Sequence, residues 1–163
     1  KDKYGTDPVP VGKPEPVEPD KSNVDTSKKL HCTISIDCAT ILNNLADLDP
    51  AKLDVLPTDG VILNAVTVEF SEGESVFDVL QRVCRENNIH IEATFTPGYN
   101  SAYVEGIHNL YEFDCGELSG WMYSVNGWFP NYGCSRYALQ DGDVIRWRYT
   151  CNLGADVGGS MVA

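Results

Sequence analysis

The residue types best suited to binding a ligand gather between positions 120 and 132. The candidate ligand-binding residues are Trp121, Tyr123, Asn126, Trp128, Phe129 and Tyr132. Aromatic side chains present flat apolar faces with polar edges, which suit a flat ring system, a sugar or an extended peptide. Strand alternation requires about half of such a cluster to face a core. We therefore expect a binding site built from part of this set, with Trp128 and Phe129 as the better exposed members.

The stretch 120–130 also predicts its own conformation. Asn126-Gly127 supplies the two positive φ angles of a type I′ turn, and the runs on both sides are rich in Trp, Tyr, Val and Phe. Pro130 cannot donate a ladder hydrogen bond, so the second strand ends there or lies at a sheet edge. The predicted register of this β-hairpin sets Val125 opposite Trp128 and Tyr123 opposite Pro130.

Few other residues are spaced for chemistry. His31, His90 and His108 are isolated, which predicts surface histidines and no metal site. Asp47-Leu48-Asp49 and Asp141-Gly142-Asp143 lack the spacing and closing Glu of a calcium loop, so turn formation is the favoured interpretation. No nucleophile elbow, Walker loop or dinucleotide motif is present. We expect a non-enzymatic protein that requires no cofactor.

The elements that position these residues follow from hydrophobic periodicity. They are a strand over 30–37, a helical insertion over 40–55, a strand over 61–70, a main helix over 75–87, a strand over 89–95 and a last strand over 144–150. Ser75 and Asp78 have the spacing of a capping box at the start of the main helix. This order predicts an α+β fold, with a β-grasp-like mixed sheet, one main helix packed on one face and an extra helical insertion after strand one.

Six cysteines without a CxxC pair favour disulfides in an exported protein over a zinc site. Buried free thiols in a cytosolic protein are the alternative. Because the first and last strands of the predicted sheet are parallel neighbours, Cys38 and Cys151 should lie at one end of one face. The apolar stripe of the helix and the hairpin register suggest the other two bridges. The predicted disulfides are Cys32–Cys84, Cys38–Cys151 and Cys115–Cys134.

Charge and composition divide the chain near residue 30. Residues 1–29 hold five of the nine prolines and six lysines balanced by six acidic residues, which predicts a disordered, Pro-rich tether. Residues 30–163 carry the whole formal net charge of −12, which repels phosphate backbones and anionic membranes. We expect no nucleic-acid partner and no membrane insertion. The Lys start and charged leader suggest a mature exported or cell-surface monomer without its export signal.

Three stretches give the chain a family resemblance from about residue 30 to residue 156. They are 72–80 at the start of the main helix, 120–127 at the hairpin, and 141–150 at the end. Together they resemble the transcobalamin-like C-terminal domain family, the β-domain of intrinsic factor and transcobalamin, which also occurs in surface proteins of Gram-positive gut bacteria. The resemblance implies that residues 30–163 form one such β-grasp domain. It also implies a cobalamin-like corrinoid as a candidate ligand.

Two functions of different class follow from these observations. The first is an exported binding module that holds a cobalamin-like or other small ligand on the aromatic hairpin. The alternative is a structural or adhesive interaction domain of a bacterial surface protein, whose partner is another surface protein. Binding of a corrinoid by the isolated chain separates the two.

Overall fold

Two β-sheets and one α-helix organise residues 1–159, the part of the chain that the computed structural model describes. The strands are β1 (Asp25–Asp37), β2 (Val61–Glu72), β3 (Ile91–Thr96), β4 (Ser101–Ile107), β5 (Leu110–Tyr111), β6 (Gly120–Val125) and β7 (Val144–Thr150), and the helix is α1 (Val76–Glu86). Short 3-10 helices cover Pro19–Lys21, Ala39–Asn43, Leu45–Asp47, Pro50–Val55, Pro97–Tyr99, Cys134–Arg136 and Ala155–Val157. The predicted α+β class is confirmed.

The first sheet has the strand order β2-β1-β7-β6. Strands β1 and β7 run parallel, with Ile34 beside Ile145 and Ile36 beside Trp147, while both outer pairs are antiparallel. The predicted parallel neighbourhood of the first and last strands is therefore confirmed. Alternation places Ile34, Ile36, Ile145 and Trp147 in the core, because successive side chains of a strand point to opposite faces.

Helix α1 packs its apolar stripe into the core. The amide of Ser75 donates to Asp78 Oδ2 at 2.9 Å, and the amide of Asp78 donates to Ser75 Oγ at 3.1 Å, so the predicted capping box forms. Such a cap stabilises a helix by about 1 kcal/mol. The side chains of the helix that are buried are Val76, Val79, Leu80, Val83 and Cys84.

The predicted insertion after strand one consists of three successive 3-10 helices between residues 39 and 55. Thr40 Oγ1 donates to the carbonyl of Tyr149 at 2.7 Å, and the Asp49 amide donates to the carbonyl of Asp114 at 2.7 Å. These bonds fix the insertion against the end of β7 and the loop after β5. Ile41 and Leu48 carry its contribution to the core.

The second sheet has the order β3-β4-β5, with both pairs antiparallel. Val104, Ile107 and Leu110 bury its inner face. A Cβ atom at Gly106 would lie 2.9 Å from the Tyr111 ring, so only glycine lets these two strands approach. Aromatic residues stand on the outside of this sheet, and they matter for the site described below.

Residues 1–24, the N-terminal segment, hold no β-strand and lie along the loop that connects β6 to β7. Strand β1 begins at Asp25, within the last five residues of the predicted tether. Its N-terminal part, before residue 30, pairs with the end of β2. The mobility of the segment stays a prediction. Within residues 1–159, no helix combines the length and hydropathy needed to cross a bilayer.

Candidate functional site

The turn of the predicted hairpin forms, but its second strand does not extend past Trp128. Asn126 and Gly127 have φ angles of 54° and 82°. The amide of Val125 donates to Trp128 O at 2.8 Å, and the amide of Trp128 donates back at 3.0 Å. Beyond Trp128 the chain leaves the sheet, and the pairing partner of Tyr123 is Trp147 on β7. Val125 pairs with both Trp128 and Ile145, so β7 occupies the opposite edge of β6. The predicted Tyr123–Pro130 pairing is wrong because the chain turns away after Trp128, and Pro130 has no amide hydrogen to extend the ladder.

Trp121 and Tyr123, the inner aromatics, are part of the core. Trp121 is 8% exposed, and its indole Nε1 donates to Leu110 O at 2.8 Å. Its ring meets the ring of Tyr149 edge-on at 5.3 Å, and the ring of Tyr123 lies 5.4 Å from that of Trp147. Burial raises the pKa of Tyr123 well above its ordinary value. One face of each ring is used in these internal contacts, and ligand contact by either side chain stays a prediction.

Asn126 ties the turn to β7. Its Nδ2 donates to Asp143 Oδ1 at 2.9 Å, and its Oδ1 accepts from the amide of Val144 at 2.8 Å. Both polar ends of the amide are therefore used to fix the hairpin tip. This residue, predicted to contact a ligand, instead positions the chain that carries Trp128.

Trp128, Phe129 and Tyr132, the tip aromatics, lie outside the central sheet. The rings of Trp128 and Tyr132 are 6.1 Å apart, and Tyr132 is 7% exposed because the N-terminal segment covers it. Phe129 contacts the backbone of Gly159 so closely that a Cβ atom there would lie 2.4 Å from its ring. Trp128 and Phe129 are half-buried, so they are less exposed than predicted.

The tyrosine cavity lies beside these residues and has a volume of about 460 Å³. Tyr99 and Tyr103, which line it, are 67% and 47% exposed. Exposed aromatic groups that share a concave surface are a common feature of binding sites. The residues that line the cavity are Tyr4, Gly5, Thr6, Thr96, Tyr99, Ser101, Ala102, Tyr103, Asn131, Tyr132, Gly133 and Arg136.

Sequence reasoning did not assign Tyr99, Tyr103 or Arg136 to a site. The available signal was the density of aromatic residues between 99 and 114, a stretch whose strands were not placed. The structure puts Tyr99 in the turn between β3 and β4 and Tyr103 on the outer face of β4. Their exposure follows from that placement, which periodicity alone did not reveal.

The electrostatics of the cavity combine neutral phenols, one cation and nearby carboxylates. Burial and a hydrogen bond to Glu112 raise the pKa of Tyr103, and burial raises the pKa of Tyr132, so both phenols stay protonated at neutral pH. The hydrogen bond from Arg136 holds the pKa of Asp2 well below its usual range. The hydroxyl of Tyr103 donates its hydrogen to Glu112, and that of Tyr132 donates its hydrogen to the carbonyl of Pro14. The cavity can therefore stack flat apolar groups on its rings and accept hydrogen bonds at its phenol oxygens.

Two other cavities are weaker candidates. A space of about 550 Å³ lies between the start of α1, β3 and residues 19–24, but its polar Ser75 and Asp78 are already used in the capping box. A smaller one of about 310 Å³ lies between residues 12–14 and Trp128. Among residues 1–159, no group of three or more His, Cys, Asp or Glu side chains is arranged to hold a metal ion.

All six cysteines are free thiols in the structure, so none of the predicted bridges Cys32–Cys84, Cys38–Cys151 and Cys115–Cys134 is formed. Cys115 and Cys134 are separated because the second hairpin strand, on which their pairing depended, does not form. Cys115 Sγ instead donates to Asn44 O at 3.4 Å, and Cys151 Sγ donates to Thr40 Oγ1 at 3.5 Å. Burial raises the pKa of Cys38, Cys84 and Cys134 to about 12, so these thiols stay protonated at neutral pH.

Comparison with known proteins gives a family match and a fold. Residues 73–151 match the model of a domain of unknown function (DUF4430). Haptocorrin, in a crystal structure in complex with Cbi, is 14% identical with a TM-score of 0.55, and the alignment covers 82% of this chain and 28% of that chain. A candidate metal-binding protein from Ruminococcus gnavus ATCC 29149 is 14% identical with a TM-score of 0.43, covering 74% of this chain and 96% of that one. No curated protein matches.

The haptocorrin likeness confirms the predicted transcobalamin-like fold. This chain spans little more than a quarter of the haptocorrin chain that it matches, because the covered share is 28%. At 14% identity the likeness concerns the fold alone.

Proposed function

We propose that this protein is a non-enzymatic binding module whose ligand surface is the tyrosine cavity together with the tip aromatics. The ligand class is a flat small molecule, with a cobalamin-like corrinoid as the first candidate. The observation that supports this proposal is the cavity of about 460 Å³, in which the exposed rings of Tyr99 and Tyr103 converge with Tyr132 and Arg136. Trp128 and Phe129 extend this surface toward the hairpin tip. Trp121, Tyr123 and Asn126 are left out because their contacts are internal.

The fold and the setting that accompany this function are proposals as well. The order β2-β1-β7-β6 with a parallel β1–β7 pair and α1 packed on it supports a β-grasp-like sheet, and a β-grasp domain of the transcobalamin type is our interpretation of residues 25–159. We place the protein outside the cell or at its surface, since six cysteines and a Pro-rich leader suit that compartment. Non-reducing peptide mapping of the exported protein tests this placement.

A corrinoid is favoured because haptocorrin, the solved structure with the matching fold, was crystallised with Cbi. A corrin ring presents a broad flat face, which suits offset stacking on phenol rings, and it carries amide groups that donate hydrogen bonds to phenol oxygens. Tyr103 supplies an exposed ring for stacking and a phenol oxygen that can accept. The chemistry of the cavity therefore fits this ligand class.

Isothermal titration calorimetry of the full chain with cobinamide tests the proposal. We expect binding with a Kd below about 1 mM, a standard free energy stronger than about −4 kcal/mol. Tyr103→Ala should weaken binding at least tenfold, because one stacking face of the cavity is lost. Phe113→Ala is the matched control, since Phe113 is also an exposed aromatic but lies outside the cavity. No heat of binding up to about 1 mM cobinamide, or equal losses in both variants, would refute the proposal.

The alternative function, an adhesive interaction domain, is favoured by one observation. Tyr99 in the turn and Tyr103 on β4 form exposed aromatic surface at one end of the second sheet, and aromatic residues are enriched in protein interfaces. If cobinamide and cobalamin do not bind while Tyr99→Ala abolishes adhesion of the protein to its cell-surface partner, this second function replaces the first.

A further inference from the structure

Arg136 is a buried cation whose side-chain partners all come from the N-terminal segment. Its side chain is 4% exposed. Nη2 donates to Asp2 Oδ2 at 2.9 Å, Nη1 to Thr6 Oγ1 at 2.7 Å, and Nε to Val17 O at 3.3 Å. The guanidinium carbon Cζ also lies 5.2 Å from the centroid of the Tyr4 ring. The N-terminal segment itself covers the guanidinium, and its carboxylate and acceptor oxygens supply the partners that a buried charge needs.

Backbone contacts set the path of that occupant. The amide of Val17 donates to the carbonyl of Arg136 at 2.8 Å, so residues 17 and 136 are joined both by main chain and by side chain. Tyr132 Oη donates to Pro14 O at 2.7 Å, and Asn131 Nδ2 donates to Asp7 O at 3.0 Å. The domain therefore donates hydrogen bonds to backbone carbonyl oxygens at several separate points along the segment.

The composition of the segment matches this mode of recognition. Prolines stand at positions 8, 10, 14, 16 and 19. Proline has no amide hydrogen, so a proline-rich segment leaves carbonyls free to accept from a partner, and aromatic-lined grooves commonly bind such chains. Local turns also close within the segment, between Asp2 and Thr6 and between Pro10 and Lys13. Lys13 Nζ lies 5.7 Å from the Trp128 ring and adds a cation–π contact beside Pro14. The groove thus pairs rings and donors with prolines, carbonyls and one carboxylate.

The segment is held on the surface of the domain. None of residues 1–24 is fully buried, and the chain between residues 20 and 29 is exposed. Besides the short 3-10 helix Pro19–Lys21 and local turns at residues 2–6 and 10–13, it contacts the domain through Arg136, Tyr132 and Asn131. Breaking a few hydrogen bonds around Arg136 and Tyr132 releases it without disturbing the core, so it can be exchanged.

We propose that Arg136, Tyr132, Asn131 and Trp128 form a binding site for a proline-rich peptide that contains turns and carries a carboxylate. Residues 2–17 are its resident ligand, and the partner that replaces them is the same segment of a second copy of this chain. Exchange between copies preserves every contact, since the two segments are identical. The site shares Asn131, Tyr132 and Arg136 with the tyrosine cavity, but the two proposals fail separately, because binding of the peptide and binding of cobinamide are measured apart.

A full-chain release variant tests this inference. Asp2→Ala, Thr6→Val and Val17→Pro remove the carboxylate, the hydroxyl and the amide that fix the segment in cis. A fluorescein-labelled peptide with the natural sequence of residues 1–18 is then added, and its anisotropy is measured. We expect saturable binding to the release variant and at least tenfold weaker binding to the natural chain, in which the tethered segment competes at an effective concentration on the order of millimolar.

Two controls fix the interpretation. A peptide with the three substitutions should bind the release variant at least tenfold more weakly than the natural peptide. Adding Arg136→Gln to the release variant should abolish binding of the natural peptide, and if that protein does not fold, Tyr132→Phe, which removes only the bond to Pro14, should weaken binding several-fold. The inference fails if the natural peptide does not bind the release variant, if it binds the natural chain equally well, or if both peptides bind alike.

Discussion

The inner and tip aromatics come from one short run of sequence, yet they lie in different environments. Trp121 and Tyr123 precede the Asn126-Gly127 turn and pack in the core against β7. Trp128 and Tyr132 follow it and contact the N-terminal segment instead. The difference shows that residue type does not decide between core and site. The strand pairing decides it. Strand β6 is part of the central sheet through its pairing with β7 and so has a face toward the core, whereas the chain after Trp128 is outside that sheet.

Trp121→Ala should have the largest effect on stability. It removes a buried indole, its edge-on contact with Tyr149 and its hydrogen bond to Leu110, and leaves a cavity. We expect the free energy of unfolding to fall by about 3–5 kcal/mol. Urea unfolding followed by circular dichroism measures the change. A loss below about 1 kcal/mol would show that the inner aromatics are not core and would remove the contrast.

Arg136→Gln should have an intermediate effect, because it removes charge-assisted hydrogen bonds without opening the central core. We expect the free energy of unfolding to fall by about 1–3 kcal/mol. Brief trypsin digestion should cut after Lys3 or Lys21 faster than in the natural chain and leave the rest intact. Arg146→Gln, an exposed arginine on β7, is the control and should change neither quantity. Unchanged cleavage in Arg136→Gln would mean that the segment is held by other contacts.

Acid should detach the N-terminal segment while the inner aromatics stay packed. The bond from Arg136 lowers the pKa of Asp2 from its ordinary 3.8, so this contact stabilises the attached state above that pH and is lost as the pH falls below it. A dye on the N-terminal amine should therefore lose anisotropy between about pH 4 and pH 2. Asp2→Asn removes this transition, whereas Glu18, whose pKa Lys21 and Lys3 lower, still titrates in that variant. An identical transition in both proteins would exclude Asp2 as its origin.

Trp128→Ala should have the smallest effect on stability. Its ring is half-buried and rests on Tyr132 and Lys13 outside the central sheet. We expect the free energy of unfolding to change by no more than about 1 kcal/mol. The same urea titration measures this change beside that of Trp121→Ala. A loss as large as that of Trp121→Ala would place the tip aromatics in the core.

The regular elements could be predicted because local signals and tertiary structure agree. Alternation along β1 and β7, and the capping box with the apolar stripe of α1, each specify one element and its buried face. The Asn126-Gly127 turn is local in the same way. The partner of β6 is not local, because its pairing with β7 joins residues about 20 or more positions apart. The predicted second hairpin strand, and the Cys115–Cys134 bridge that depended on it, were therefore wrong.

The candidate site was harder to predict for a related reason. The proline content of the N-terminal segment indicates that it cannot build a core, but it does not reveal that Arg136 binds Asp2 and Thr6 across more than a hundred residues. Tyr99 and Tyr103 are exposed because one lies in the turn before β4 and the other on the outer face of β4, and neither position was predicted. The tip aromatics could be proposed from sequence, because half of an aromatic run that flanks a turn must leave the core.

The central claim is that the ligand surface belongs to the tip half of the aromatic run and its neighbouring cavity. Calorimetric titration of cobinamide into Trp128→Ala, Tyr132→Phe and Trp121→Phe tests it most directly, with folding checked by circular dichroism. The account predicts that Trp128→Ala weakens binding at least tenfold and Tyr132→Phe several-fold, while Trp121→Phe binds like the natural chain. Loss of binding in Trp121→Phe with full retention in both tip variants would contradict it.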